Sequence, residues 1–512
     1  MTTPYFISND IAREISDDFI LNHHQTKSVT IYAQDVLFDT EKERIVGYVF
    51  HFHPTGYMVV SSSRLLPPIV AYSWKTSFPT DASDPFSQFI SLDLSMQLDN
   101  EALFSDEVIK ARFDEWDLQI DNQATPIHML YEQWPPENST TTEGWIETTW
   151  SQDSPYNDFC PIDPDTDERS VAGCPAVAMA QIFNYHRLIN NIRFSDEDDY
   201  YHNYLDRYWI DNDHAKYDFP SFLELNTYLD AIDHRFMQYE PLSDEEMAAL
   251  NFACGVACKQ VYSPAGSGTF GVDQAYDAYL RFNCSTVQLF NESSETTFES
   301  IIEDIKHARP VHLAVVNPAW SAGHNLIIDG YNTDDFFHLN FGWGSAYDTW
   351  YQLPMDLPYD LTVIEGVIVN IMNQNTTEDL TCEGQIQWND VPPGKEIYGS
   401  FTLFNTGKPG SILSWKVLST PDWGTWTITP ETGNNLTPEE GIVTVNVTVL
   451  SPDKKNKEFS GGITIVNTNN PGDRAYIPIV LQTAKRSNVY LSELRSILHI
   501  PYFSWWMLHH AS

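Results

Sequence analysis

The sequence predicts an α+β fold of about three domains that ends in an all-β domain. Three observations lead to this prediction. The 512 residues exceed one ordinary hydrophobic core, because domains average roughly 150 residues. Long segments with helical spacing alternate with short strands between residues 144 and 373. From residue 378 onward the helical periodicity disappears, and short β-branched runs recur between turns.

The composition divides the chain into five segments: residues 1–127, 128–143, 144–373, 378–484 and 485–512. The first combines a helical start at Ile11–Phe19 with alternating strands such as Gly47–Phe52, which predicts a small α+β unit. The second is rich in Pro and Thr, as is typical of an exposed linker that proteases can cut. The third is the main α+β domain, the fourth an immunoglobulin-like sandwich of about seven strands, and the last a tail.

The charge of the chain excludes two classes of partner. The sequence has 71 acidic against 28 basic side chains, a formal net charge of −43. Nucleic acids and anionic membrane surfaces both attract concentrated Lys and Arg, so neither is expected as a partner. No apolar run of about eighteen residues occurs, so we expect no membrane span. The first thirty residues lack a basic start followed by an apolar run, which predicts no signal peptide.

The cysteines predict neither a disulfide scaffold nor a metal site. Six cysteines are too few to staple a chain of this length. Cys254 and Cys258 lie four positions apart in a predicted helix, where two packed, inert thiols are expected. There is no CxxC pair and no HExxH motif, so we expect no metal and no cofactor.

The sharpest local signal is the stretch Val171–His186, in which Pro175 follows Cys174. Proline is tolerated in a helix only in its first turn, and the apolar residues that follow recur at helical spacing. Cys174 therefore lies at a predicted helix N-terminus. There, free N–H groups and the macrodipole favour a thiolate and lower the pKa of a thiol. A buried structural cysteine beside a tight turn is the alternative.

A second motif offers a base. Gly323–Asp329 alternates like a strand, and Phe336–Phe341 is the predicted return strand of a hairpin. One of two registers places His324 directly opposite Asn340, and the other places it opposite Phe341. An asparagine amide can orient an imidazole for nucleophilic catalysis. The alternative is a structural histidine on a strand.

A third element offers an oxyanion donor. The loop Trp150–Tyr156 precedes the helix of Cys174 and carries Gln152. The Gln152 amide and the Cys174 N–H are suited to hold the developing oxyanion of a tetrahedral intermediate. By itself this signal is weak, because any surface glutamine fits such a loop.

Together these motifs resemble the streptopain family, secreted bacterial cysteine peptidases with a papain-like catalytic fold. The resemblance covers roughly residues 10–372, and its specific parts are Gly-Cys-x-Ala-x-Ala-x-Ala-Gln and the stretch Gly323–Gly344. The resemblance implies that Cys174 is the nucleophile, His324 the base and Gln152 the oxyanion residue.

The resemblance also implies further roles. Asn340 and Trp343 resemble the residues that orient and shield the base. Two parts of the chain resemble the segments that line the family's substrate cleft: Gly323, and a loop that contains Gly266, Ser267 and Gly268. The stretch Gly47–Tyr72 resembles the inhibitory propeptide. In two places the chain departs from the family: Phe341 stands where Trp is common, and Pro175 where a β-branched residue is usual.

The implied activity is that of a cysteine endopeptidase made as a zymogen. The resemblance implies protein or peptide substrates, the chain's own propeptide as inhibitor, a cut near residues 120–145, and secretion or display at the cell surface. We expect a monomer. Two alternatives stay open: a transglutaminase-like acyltransferase, and a binding or adhesion protein with a decayed catalytic fold. The second predicts a missing catalytic residue, whereas Gln, Cys, His and Asn are all present.

Overall fold

The structure is a computed structural model that describes residues 5–23, 29–79, 84–99, 106–120, 131–137, 139–238, 240–353, 361–371, 378–407, 411–438, 441–470 and 473–485. Within these ranges, no helix combines the length and the apolar character that crossing a bilayer requires.

The N-terminal part of the described chain is an antiparallel meander covered by helices. Its elements are α1 (Asn9–His23), β1 (Thr30–Asp39), β2 (Arg44–His53), β3 (Tyr57–Ser61), β4 (Ile69–Ser73), α2 (Pro85–Asp99) and α3 (Asp106–Ile120). The four strands pair in chain order. Because side chains alternate along a strand, Phe50 and Phe52 face α1 and α3, whereas Val49 faces α2. The predicted α+β unit is therefore present.

The middle of the chain holds the remaining helices and a second set of strands. The elements are β5 (Gln133–Trp134), α4 (Cys174–His186), β6 (Tyr201–Tyr204), β7 (Asp206–Trp209), α5 (His214–Tyr217), α6 (Phe222–Gln238), α7 (Asp244–Ala257), α8 (Val272–Arg281), β8 (Gln288–Phe290), α9 (Glu295–Lys306), β9 (Val311–Val316), β10 (Gly323–Asn332), β11 (Phe336–Asn340), β12 (Thr349–Gln352) and β13 (Val363–Val369). Helix α4 crosses the centre of the helical core, and it is buried on nearly all sides rather than along one apolar stripe.

A single sheet joins the two parts. Its strand order is β1-β2-β3-β4-β12-β11-β10-β9-β13-β8, and β5 pairs with β10 off this path. The junction is the antiparallel contact of β4 with β12, where Tyr72 lies opposite Trp350. One face of this sheet packs against α4 and its neighbouring helices, and the other against α2 and α9.

The C-terminal part is all β. Its strands are β14 (Leu380–Glu383), β15 (Ile386–Val391), β16 (Glu396–Asn405), β17 (Leu413–Ser419), β18 (Thr425–Thr429), β19 (Thr432–Leu436), β20 (Val443–Leu450), β21 (Glu458–Asn467) and β22 (Arg474–Thr483). They form a four-stranded and a five-stranded sheet around one apolar core. The described residues hold nine strands rather than about seven, because short polar strands such as β19 lack the β-branched pattern.

The C-terminal sheets rest on the middle part through aromatic rings. Tyr476 meets Trp145 edge to face at 5.9 Å, and the Arg474 guanidinium lies 5.2 Å from the centre of the Tyr185 ring. The tail from residue 486 onward lies outside the described residues.

The predicted linker is less exposed than its composition indicates. Gln133–Trp134 is strand β5, and the Trp134 ring stacks on Tyr331 at 6.1 Å. Glu143 is only 5% exposed. Trp134 is covered because a stacked ring and a backbone ladder attach it to β10, and Glu143 is covered because its carboxylate accepts hydrogen bonds from Ser73 and from the Trp74 N–H. Residues 121–130, where the predicted cut region begins, lie outside the described residues.

Candidate active site

The start of α4 is fixed by a glycine and a buried amide. Gly173 precedes the helix with a φ of 87°, a backbone conformation that favours glycine. A Cβ on Gly173 would lie 2.7 Å from Gln260 Oε1, and Gln260 Nε2 donates to the Ala172 carbonyl at 2.7 Å. The predicted helix start is confirmed, with Cys174 as the first residue and Pro175 in the first turn.

The Cys174 sulfur faces β10. Its Sγ accepts a hydrogen bond from Asn325 Nδ2 at 3.8 Å. Burial raises the pKa of the Cys174 thiol, whereas N–H groups of Asn325 and of Cys174 itself lower the pKa without cancelling that rise. The expectation of a lowered pKa is therefore wrong for this form of the protein, because desolvation outweighs the helix N-terminus.

His324 points away from the sulfur. Its side chain is 5% exposed, and Nε2 lies 2.8 Å from the Phe341 carbonyl. The imidazole centre lies 4.2 Å from that of Trp343. Burial lowers the pKa of His324 to about 4, so the ring is neutral near neutral pH. Both residues are fully described, and no hydrogen bond joins His324 to Cys174.

Strand alternation explains this arrangement. Consecutive residues of a strand leave opposite faces of the sheet, so Asn325 and His324 cannot both face α4 while β10 stays regular. Asn325 shares its face with Ile327, which packs in the core around α4. His324 shares its face with Leu326, which packs in the other core.

The hairpin has neither of the two predicted registers. Asn340 lies opposite Ile327 rather than His324, and an irregularity at Asp329 shifts the pairing. Asn340 Nδ2 donates to the Thr148 carbonyl at 3.0 Å, and Oδ1 accepts from Gln181 Nε2 at 2.9 Å. The predicted contact between Asn340 and His324 is therefore wrong for this form.

The loop of Gln152 lies beside the start of α4. The Gln152 carbonyl accepts a hydrogen bond from the Ala172 N–H at 2.9 Å, two residues before Cys174. Gln181, buried two turns along α4, accepts from the Trp150 N–H at 3.2 Å. These bonds attach the predicted oxyanion loop to the helix of the predicted nucleophile.

The predicted cleft residues surround the same region. Gly323 is exposed and begins β10 opposite Val316. Trp343 is half-buried against His324. The loop with Gly266, Ser267 and Gly268 is closed by hydrogen bonds to Ser263, whose carbonyl also accepts from the Val171 N–H at 3.3 Å.

A chain of aromatic rings connects the N-terminal part to His324. Phe86 of α2 meets Tyr347 at 5.3 Å between ring centres, and Tyr347 meets Trp343 at 5.4 Å. Trp343 in turn covers the His324 ring. The N-terminal part therefore reaches the residue predicted as the base through two intervening side chains.

Three residues of this region were given no functional role by the sequence alone. Asn325 directly follows His324, His312 lies on β9 with its Nε2 2.8 Å from Asn325 Oδ1, and Gln181 ends the glycine-cysteine motif. Each is a polar residue at a position that the surrounding pattern assigns to the core. That mismatch is the signal that marks them, because buried polar groups need partners.

Comparison with known proteins finds a family match in each of the two parts. Residues 150–351 match the Peptidase C10 family, and residues 4–95 match the Spi protease inhibitor. The chain is 23% identical over 379 residues to streptopain of Streptococcus pyogenes, an alignment that covers 69% of this chain and 88% of the relative. It is also 23% identical over 318 residues to the thiol protease/hemagglutinin PrtT of Porphyromonas gingivalis, covering 59% of this chain and 33% of the relative.

Among solved structures, a fragment of Prevotella intermedia prointerpain A aligns with 66% of this chain and 98% of its own length. The identity is 19% and the TM-score 0.43.

The two family matches fall on the two parts that the long sheet joins. The chain is a cysteine endopeptidase with a papain-like α+β fold, made as a zymogen that carries its own inhibitory propeptide. Within that class it is a streptopain-like peptidase. These findings favour the peptidase over the acyltransferase and over the decayed binding protein.

Proposed function

We propose that this endopeptidase cuts proteins and peptides with Cys174 as nucleophile and His324 as base. One observation supports this assignment above the others: α4 and β10 bring the Cys174 sulfur into contact with Asn325, the residue next to His324. The two predicted reactive side chains lie 150 positions apart in the sequence, yet their backbones are neighbours in the fold.

In the active form, His324 leaves the Phe341 carbonyl and turns towards the sulfur, which requires the first residues of β10 to leave the regular ladder. The Cys174 thiolate then attacks the scissile carbonyl, and the Gln152 amide and the Cys174 N–H stabilise the oxyanion. His324 protonates the leaving amine and afterwards activates the water that releases the acyl-enzyme. Asn340 acts indirectly in this scheme, because it holds the Gln181 side chain of the nucleophile helix.

Inhibition by the propeptide is proposed to act on His324. The full-length chain holds a neutral imidazole against Phe341 and Trp343, and the rings of Tyr347 and Phe86 extend this stack to α2. A cut near residues 120–145 would separate α2 from Tyr347 and free the ring to turn. Gly323, Trp343 and the loop of Gly266, Ser267 and Gly268 are proposed to line the substrate cleft.

The proposal extends to the setting of the enzyme. The streptopain resemblance supports secretion or display at the cell surface, and we propose that the chain acts there as a monomer. The C-terminal sandwich (residues 378–484) is proposed to act as a stabilising module, because Tyr476 packs on Trp145 beside the propeptide linker.

The assignment is tested by cysteine substitution in the full-length chain after limited proteolysis. We expect Cys174→Ala to lose all hydrolysis of a peptide library and to unfold at the wild-type temperature. Cys382→Ala, which removes a half-buried free thiol in the sandwich, is the matched control and should keep full activity. Hydrolysis that persists in Cys174→Ala would refute the assignment.

A further inference from the structure

A line of hydrogen-bonded side chains runs from the helical core to the Cys174 sulfur. The Tyr279 hydroxyl lies 3.1 Å from His312 Nδ1, and His312 Nε2 lies 2.8 Å from Asn325 Oδ1. Asn325 Nδ2 then donates to Cys174 Sγ at 3.8 Å. The line crosses α8, β9 and β10 and ends at the first residue of α4.

The donors of this line all point towards the sulfur. An amide nitrogen only donates and an amide oxygen only accepts, so His312 must carry its hydrogen on Nε2. His312 Nδ1 is then an acceptor, which the Tyr279 hydroxyl satisfies. The opposite amide orientation would present an acceptor to the sulfur and would suit a protonated thiol. The observed orientation suits a thiolate.

The line is sealed from solvent at its inner end. Tyr279 and His312 are both 0% exposed. Burial lowers the pKa of His312 to about 4, so His312 stays neutral near neutral pH and keeps one donor and one acceptor nitrogen. Hydrogen bonds in such a low-dielectric interior strengthen one another, and an unpaired member would be costly. These buried partners therefore hold the amide of Asn325 in place.

In the full-length chain the sheet keeps Asn325 beside the sulfur. Asn325 lies opposite Ala314 of β9, and both Ala314 and Ile327 pack in the core around α4. The other titratable groups near the Cys174 sulfur are Glu365 on β13, whose charge raises the thiol pKa, and buried Cys258 after α7. Asn325 is the residue on the facing strand whose side chain donates to the sulfur.

We propose that Asn325 is a further catalytic residue, whose side-chain amide stabilises the Cys174 thiolate, and that His312 and Tyr279 are positioning residues that fix this amide. The inference rests on the proposed role of Cys174 as nucleophile. It gives the thiolate a source of stabilisation from inside the fold, separate from the imidazolium of His324.

The test is the pH profile of Cys174 alkylation in the full-length chain. Iodoacetamide is the probe, and the labelled Cys174 peptide is quantified by mass spectrometry between pH 6 and pH 10. Because only the thiolate reacts, loss of its donor should raise the apparent pKa in Asn325→Ala by about one unit and slow labelling about tenfold at the lower pH values. Both rates should still be rising at pH 10, because burial already raises the pKa of the wild-type thiol.

The positioning residues are tested with conservative pairs. Tyr279→Phe and His312→Phe should shift the profile in the same direction by a smaller amount. His312→Gln should keep the wild-type pH profile that His312→Phe loses, because a glutamine amide can accept from Tyr279 and donate to Asn325. Tyr276→Phe, on the same helix and partly buried, is the matched control and should leave the profile unchanged.

An unchanged profile in a folded Asn325→Ala chain would overturn the inference, and so would faster labelling at low pH. If that variant does not fold, Tyr279→Phe decides, because it removes a single hydroxyl. Failure of the proposed function is distinguishable from these results, since it shows as peptide hydrolysis by Cys174→Ala whatever the alkylation profile.

Discussion

At the residue scale, the full-length chain differs from a working cysteine peptidase in the protonation of its predicted nucleophile and base. Burial raises the pKa of Cys174, and burial lowers the pKa of His324 to about 4. Near neutral pH the thiol therefore keeps its proton and the imidazole lacks one. Catalysis of this class needs the reverse assignment, a thiolate beside an imidazolium, which requires the two side chains to meet.

The low pKa of His324 has a consequence for stability. Its folded value of about 4 lies below the ordinary value of 6.5, so folding favours the neutral ring. The stability that the neutral ring contributes is complete above pH 6.5 and is lost as the pH falls from 6.5 towards 4. At pH 5 the free energy of unfolding is lower by about 2 kcal/mol for this reason. We expect the wild-type full-length chain to lose more stability than His324→Gln between pH 7 and pH 5 in urea unfolding. If the free energies of unfolding of wild type and His324→Gln differ by the same amount at pH 7 and pH 5, this prediction is wrong.

The sequence predicts where Cys174 lies but not its pKa. Pro175 fixes the helix start through local geometry alone, and the structure agrees. The pKa of Cys174 depends first on burial and then on Asn325, which lowers it, and on the charge of Glu365, which raises it; all three act only after the sheet has formed beside α4. A local pattern carries no information about desolvation by distant strands.

At the element scale, one buried side chain attaches α4 to its surroundings. Gln181 Oε1 accepts from the Thr148 hydroxyl and the Trp150 N–H, while Nε2 donates to Asn340 Oδ1. We expect Gln181→Ala to lower the free energy of unfolding by about 1–3 kcal/mol, because buried partners are left unpaired. Chemical denaturation measures this change.

The same variant should also lower activity after processing, because the loop of Gln152 is attached to α4 through Trp150. Asn184→Ala, at a half-buried position of the same helix, is the control and should change both quantities little. Equal effects of the two substitutions would show that Gln181 has no special part in placing the loop.

The hairpin of β10 and β11 shows why register was not predictable. Alternation in the sequence identifies both strands correctly. The irregularity at Asp329 arises because its carboxylate accepts from the Ile146 N–H at 3.0 Å and lies 2.7 Å from His338 Nδ1. Ile146 is remote in the sequence, so a partner outside the hairpin determines the register that the hairpin adopts.

At the scale of the whole molecule, the propeptide extends the catalytic sheet and touches the stack that holds His324. Phe86 contributes the contact from α2. Truncating it should weaken docking by about 1–2 kcal/mol, which raises the undocked population about 5- to 30-fold. We therefore expect Phe86→Ala to hydrolyse a quenched fluorescent peptide several-fold faster than wild type before any processing.

Leu92→Ala is the control for this prediction, because Leu92 lies on the same helix and is 59% exposed. Its rate should equal that of wild type. Equal rates for Phe86→Ala and Leu92→Ala would contradict a role of the aromatic stack in inhibition.

The order of the three parts along the chain was predictable from the sequence. The continuous sheet that joins the first two parts was not. Composition and periodicity separate the N-terminal unit, the main α+β part and the β-rich end. The continuous sheet depends on a short contact between Tyr72 and Trp350, about 280 positions apart in the sequence. Burial of Glu143 likewise depends on its hydrogen bond from the Trp74 N–H at 2.9 Å, a partner in the propeptide.

The most direct test of the account is to locate the reactive cysteine in the activated enzyme. The processed chain is inactivated with an epoxysuccinyl reagent at slightly acidic pH, and the modified peptide is identified by mass spectrometry. We expect one label per chain, on Cys174, with peptidase activity lost in proportion to labelling. Complete inactivation with the label on any of the other five cysteines, or full activity with Cys174 labelled, would contradict it.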